Sequence, residues 1–155
     1  MCLRLGANAC LTHKCVCGSL VDETGRHGLS CKRSSAHIPR HATLNDIVHR
    51  SFIRASIPAI KEPPGLIRTD GKRPDGVTQI PWQSGKCLSW DVTVTDTLAP
   101  SYVHLSALSA GNASENAASK KVSKYAGIMT NFEFAPIAFE TLGPINLSGR
   151  QILKQ

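Results

Sequence analysis

Four side chains near the start of the sequence have the types and spacing to hold a soft metal ion. Cys15 and Cys17 are one residue apart, His27 follows after nine intervening residues, and Cys31 after three more. Thiolate and imidazole are the ligands of tetrahedral structural zinc, and an ion so held supplies folding energy that a segment poor in apolar residues lacks. Cys-x-Cys is tighter than the usual Cys-x-x-Cys and demands a sharper turn, so Cys10 or His13 is a candidate replacement for one ligand. The alternative is a set of free buried thiols. Cys2 and Cys87, which have no clustered partner, are read that way.

A second constellation lies further on. Arg73-Pro74-Asp75 stands at the entry to one strand-like run and Asp91 lies in the next. Adjacent strands are only about 4.8 Å apart, so two such carboxylates can share a magnesium ion if they face the same side. Pairing the two runs symmetrically about Ser84-Gly85 puts Thr78 opposite Asp91 and turns Asp75 to the other face. One extra residue in a bulge restores a common face, and Pro81, which cannot donate a ladder hydrogen bond, marks where the irregularity is expected. A hydrolytic site also needs a cation to orient water and offset phosphate charge, and Lys121 and Lys124 stand one turn apart on a predicted helix. In the plainer alternative Asp75 caps a Pro-Asp-Gly turn and the lysines form a solvated face. Spacing alone does not choose between these.

The elements that must position these groups can be read from periodicity. Leu44, Ile47, Val48 and Phe52 have helical spacing, which predicts a helix over 43–57 with Pro58 as its stop and Thr43 and Asp46 as a capping box. Lys61 to Gly65 interrupts any strand, and 66–69 is read as resuming one. Residues 76–82 and 87–97 read as a hairpin, with Val92 and Val94 facing away from Asp91, Thr93 and Thr95. A loop follows over 98–111. Residues 112–128 form an alanine-rich helix with Ala113, Ala117, Ala118, Val122 and Tyr125 as its packed face and Lys120, Lys121 and Lys124 riding on it. A strand over 131–141 and a short helix over 148–154 complete the order.

Composition sets the class. At 155 residues the chain is long enough for one main core with a small satellite module. A hydrophobic fraction of 41% with 19% charged residues fits a folded, soluble protein. Formal charge is +7 and the isoelectric point about 9.3, which favours a polyanionic partner such as nucleic acid. No stretch is long and apolar enough to span a bilayer and residues 1–20 lack the centre of a signal peptide, so an intracellular protein is expected and the cysteines are read as metal ligands rather than disulfides.

Taken together, Cys15 to Cys31, Arg40-His41, Arg73-Pro74-Asp75-Gly76, Trp90-Asp91-Val92-Thr93 and Lys121-x-x-Lys124-Tyr125 resemble the carboxy-terminal region of non-LTR retrotransposons that carry a restriction-like endonuclease. The resemblance spans most of the chain. It implies an α/β fold: a small zinc-knuckle module over 1–33, a linker over 34–42, and over 43–155 a restriction-endonuclease-like core of the PD-(D/E)xK type. That core runs helix, three strands, helix, strand around a mixed sheet. It further implies that Asp75 and Asp91 hold magnesium, that Lys121 or Lys124 supplies the lysine displaced from strand to helix, and that Tyr125 completes the motif. Lys72, Arg73, Lys120 and Tyr125 are expected to contact the nucleic acid. The partners implied are DNA, the element's own RNA and an upstream reverse transcriptase, in a nuclear or otherwise intracellular setting. One departure stands out: Asp91 is followed by Val92-Thr93, where the parent motif has lysine two residues on, so the helix lysine must compensate. Glu62 and Asp46 are the further acids near enough in sequence to assist. The rival expectation is a catalytically inactive, zinc-stabilised nucleic-acid-binding remnant, since no polymerase segment stands in the sequence.

Overall fold

The computed structural model describes residues 2–31, 33, 37–67 and 70–154. The head contains a one-turn helix α1 (Cys2–Leu5), a two-stranded ribbon of β1 (His13–Lys14) and β2 (Leu20–Val21), and a one-turn helix α2 (His27–Ser30). Among its described residues only Val21 and Cys31 are buried, while Leu11, Val16 and Leu20 stay exposed. So little buried apolar surface cannot by itself offset the entropy of ordering some 30 residues, about 1–2 kcal/mol each for backbone alone.

Helix α3 (His37–Arg54) begins well before the expected start at 43, inside the span read as linker. Pro39 falls in its first turn, where the backbone N–H groups have no intrahelical partner and a missing one costs nothing. Thr43 and Asp46 therefore lie inside the helix and form no capping box. Asp46 instead pairs with Arg50 one turn on and with Lys61. The helix ends where Ser56 takes a left-handed φ of 60° ahead of Pro58.

The strand expected over 66–69 is not where the chain pairs. Strand β3 (Ala59–Lys61) lies before the proline interruption, and Pro64–Leu66 form a 3₁₀ turn; residues 68 and 69 lie outside the described residues. β4 (Gly76–Gln83) and β5 (Lys86–Thr95) make the expected hairpin, closed by Ser84 and Gly85, both with positive φ as a tight two-residue hairpin requires. The loop expected over 98–111 contains a short helix, α4 (Val103–Leu108), and α5 (Asn112–Tyr125) ends in a 3₁₀ turn at Ala126–Ile128. β6 (Glu133–Glu140) and α6 (Leu147–Ile152) follow.

The four long-range strands form one mixed sheet in the order β3-β4-β5-β6, antiparallel except for the parallel pair of β5 and β6. Helices cover both faces. On one, Val48 and Phe52 of α3 pack on Leu88, Trp90, Val92, Ala135 and Ile137. On the other, Ala117 and Ala118 of α5 meet Ala138, and Tyr125 stacks against Phe134 at 4.9 Å between ring centres. Val122, expected on the packed face of α5, is more than a third exposed; Ser114 is buried there instead. The small side chains of Ala117 and Ala118 let α5 lie close to the sheet. Lys121 is then four and three residues beyond them on the same side of the helix, above β5.

Candidate active site and metal centre

In the head, the ligand atoms of Cys15, Cys17, His27 and Cys31 all lie within 4.8 Å of one another and could hold a metal ion. Cys15 Sγ and Cys31 Sγ are 3.7 Å apart, and Cys17 Sγ is 3.1 Å from His27 Nε2. A sulfur pair at that distance is far too wide for a disulfide, whose bond is about 2.05 Å. It matches the edge of a tetrahedron with about 2.3 Å metal–sulfur bonds, close to 3.8 Å. The tight Cys-x-Cys turn is closed by Gly18, at φ 92°, whose N–H donates to the Cys15 carbonyl, and by Cys15 N–H donating to the Ser19 carbonyl. Hydrogen bonds from the Ser19 side chain and backbone lower the Cys17 thiol to about 6, towards the thiolate that a metal requires. Cys10 and His13 are engaged elsewhere: the Cys10 thiol donates to the Asp22 carbonyl, and His13 Nδ1 lies 2.8 Å from the Leu11 carbonyl.

The hairpin carries the expected irregularity, in two steps rather than one. Gln83 faces Lys86 at the turn, Pro81 faces Cys87, and Gly76 faces Trp90. Eight residues of β4, 76–83, thus run beside five of β5, 86–90, a slip of three. Because side chains alternate along a strand, an odd slip exchanges the faces, and at its end the Asp75 N–H meets the carbonyl of Trp90, the residue before Asp91. Thr78, whose side chain is buried, holds the slip open. Its hydroxyl accepts from Leu88 N–H at 2.9 Å and donates to the Ile80 carbonyl at 2.9 Å, satisfying groups the broken ladder leaves unpaired.

Gly76 is in this arrangement for space. A Cβ there would fall within the indole of Trp90, which is fully buried and donates from Nε1 to Asn45 Oδ1 at 3.0 Å. Pro-Asp-Gly is therefore a strand entry against a tryptophan, and Asp75 does not cap a turn. Its backbone N–H donates to the Trp90 carbonyl at 2.9 Å, and its Oδ2 accepts from Val92 N–H at 2.6 Å. The same oxygen lies 3.1 Å from His41 Nε2, which is also 3.0 Å from the Val92 carbonyl. Both partners of Nε2 are acceptors, so Nε2 carries the hydrogen and donates to each. The hydrogen bond it gives to Asp75 holds His41 above its ordinary value, partial burial opposing it, and Asp91 adds to the rise.

Asp91 is 3% exposed, and its Oδ1 is ion-paired with Lys121 Nζ. Among the described residues, the second oxygen of each carboxylate, Asp75 Oδ1 and Asp91 Oδ2, accepts no hydrogen bond, and neither is an orphaned buried atom. Each is a hard oxygen of the kind that coordinates magnesium.

The other sequence candidates sit around this pair. Lys124 does not reach the carboxylates: its Nζ is 2.9 Å from Tyr125 Oη and 4.4 Å from the centre of that ring. Tyr125 Oη donates to the Arg73 carbonyl at 2.9 Å, tying α5 to the segment that leads into Asp75. Arg73 pairs with Glu62, and Lys72 is exposed. Lys120 turns to Tyr102, 3.3 Å from its hydroxyl. Glu62 and Asp46 are committed to Arg73 and to Arg50 and Lys61, so neither carboxylate joins Asp75. Two residues at the site were given no role from the sequence: His41, which entered with Arg40 through the resemblance and lay in the span read as linker, and Asn45, whose Nδ2 lies 3.5 Å from the Asp75 carbonyl. No protein-family model matches the chain, and no curated protein matches it.

Proposed function

We propose that this chain is a metal-dependent DNA endonuclease with a restriction-endonuclease-like core, of the kind that non-LTR retrotransposons carry behind a zinc knuckle. The observation that carries this reading is the three-residue slip of the hairpin, which brings the Asp75 backbone onto Trp90, the residue before Asp91, while one oxygen of each carboxylate accepts no hydrogen bond among the described residues. A regular hairpin would have parted them. Magnesium between those oxygens would lower the pKa of a bound water and offset charge on the leaving oxygen of a phosphodiester. Lys121, held on Asp91 from α5, brings a cation to the same point, where it stabilises the charge that develops on phosphorus-bound oxygens. Tyr125 and Lys124 brace the Arg73 to Asp75 entry, and Lys72, Lys120 and Arg73 lend the surroundings positive charge that suits a phosphate backbone. Zinc at Cys15, Cys17, His27 and Cys31 would hold the head in shape, with Lys14 and Arg33 lining the cleft beside the cluster as a second grip on nucleic acid.

One observation favours a binding-only reading: Asp91 is already neutralised by Lys121, and Thr93 stands where the parent motif has lysine. Nicking of supercoiled plasmid by the zinc-loaded chain in magnesium separates the two. The endonuclease reading predicts nicking that falls by two orders of magnitude or more in Asp75→Ala and Asp91→Ala. Plasmid binding with no nicking sensitive to either substitution supports the remnant.

A further inference from the structure

Among the described residues only one oxygen of Asp75 is held, and it is held twice. Val92 N–H approaches Oδ2 along the sheet, and His41 Nε2–H approaches the same oxygen from α3. A single hydrogen bond would leave the carboxylate free to swing about it. Two donors converging on Oδ2 fix its rotation and leave Oδ1 accepting no hydrogen bond among the described residues. His41 is itself fixed, because the hydrogen it gives to Asp75 is shared with the Val92 carbonyl. Val92 is the residue after Asp91, so the imidazole ties the first carboxylate to the strand that carries the second. The preceding residue, Arg40, donates to the Leu29 carbonyl at 2.9 Å and anchors that turn of α3 to the head. The His41 side chain is 40% exposed, so packing of the core does not call for an imidazole at this position.

We infer that His41 is the positioning residue for Asp75, a second-layer donor that aims Oδ1 at a divalent cation. The inference rests on the reading of Asp75 and Asp91 as metal ligands, and its test keeps the two apart. Partners of this kind, when removed, cost about 10-fold or more in metal affinity. Manganese(II), used as the probe in place of magnesium, is titrated into the full zinc-loaded chain, and the free ion is measured by electron paramagnetic resonance. Thermal melting of each variant is recorded alongside.

The expected result is a dissociation constant raised about tenfold in His41→Ala. In His41→Gln, whose amide keeps two N–H donors near the position of Nε2, the constant should return to within about threefold of wild type. Equal affinity in wild type and His41→Ala overturns the inference, as does a His41→Gln variant as weak as His41→Ala with an unchanged melting temperature. If Asp75→Ala binds manganese as tightly as wild type does, the metal-site reading itself has failed. If Asp75→Ala loses the ion and His41→Ala keeps it, only the inference has failed. A purely structural histidine would move the melting temperature in both variants and leave the affinity alone.

Discussion

Replacing Gly76 by alanine adds one methyl group at the point where β4 crosses Trp90. The added Cβ would lie on the six-membered ring of the indole, near Cζ2, Cε2 and Cη2, far inside the 3.5–4.0 Å or so at which carbon atoms rest. The ring cannot step aside, since Trp90 is fully buried and stacked on Phe52 at 4.9 Å between ring centres. Either β4 lifts off or the indole tilts. Overpacking of this kind costs about 1–3 kcal/mol, and a tilt that breaks the Trp90–Asn45 bond leaves buried polar groups unpaired for about 1–3 kcal/mol more. The expected loss is therefore about 2–6 kcal/mol, a large share of the stability of an ordinary domain. Urea unfolding of the zinc-loaded chain, followed by tryptophan fluorescence, measures it, with Gly127→Ala as the control because nothing lies within 4 Å of a Cβ there. A Gly76→Ala midpoint indistinguishable from that of the control would refute the view that glycine stands in this motif to admit the indole.

Other outcomes follow from the same geometry. Thr78→Val keeps the shape of the side chain and removes the acceptor of Leu88 N–H, so it should cost about 1–3 kcal/mol in the same unfolding assay; Thr130→Val, on an exposed position, should change little. Elemental analysis should find one equivalent of zinc, lost in Cys15→Ser and in His27→Ala but retained in Cys10→Ser. The hydrogen bond from Lys61, with charge from Arg50 and Lys61, holds the Asp46 carboxyl below 3.8. A carboxyl lowered in the fold contributes stability above its unfolded value and loses it as pH falls through the folded one. The Asp46 side-chain resonance should accordingly titrate below 3.8 and move up towards it in Lys61→Met.

How much of this was legible in the sequence differs by element. β5, β6 and α5 carry long, unbroken patterns of alternating or helically spaced apolar residues, and they lie within a few residues of where those patterns end. The zinc-type ligands were legible because three cysteines and a histidine in so short a span are the ordinary ligands of tetrahedral zinc. The start of α3 was hidden by Pro39, which reads as a breaker unless its place in the first turn is known. β3 was hidden because three residues give no period, and its pairing with β4 comes from the sheet rather than from its own composition. The need for a break between Asp75 and Asp91 could be argued from alternation alone. Its size could not, because it depends on the Thr78 hydroxyl replacing a ladder bond and on the space Trp90 takes beneath Gly76. Arg40-His41 entered through the resemblance without a role, for a related reason: His41 meets Asp75 across 34 residues of chain, and nothing local announces that contact.

The central claim is that Asp75 and Asp91 act together on a cation to cut a phosphodiester. Asp91→Asn tests it most directly, since it keeps the size of the side chain and its contact with Lys121 while removing the charge. Binding of a labelled duplex and nicking of plasmid in magnesium are to be measured on the same zinc-loaded sample. The account predicts duplex binding within about threefold of wild type and nicking reduced by about 100-fold or more, the order of loss for a group that acts on charge in the transition state. Nicking by Asp91→Asn at the wild-type rate, or a wild-type chain that binds duplex and never nicks it, would contradict the account.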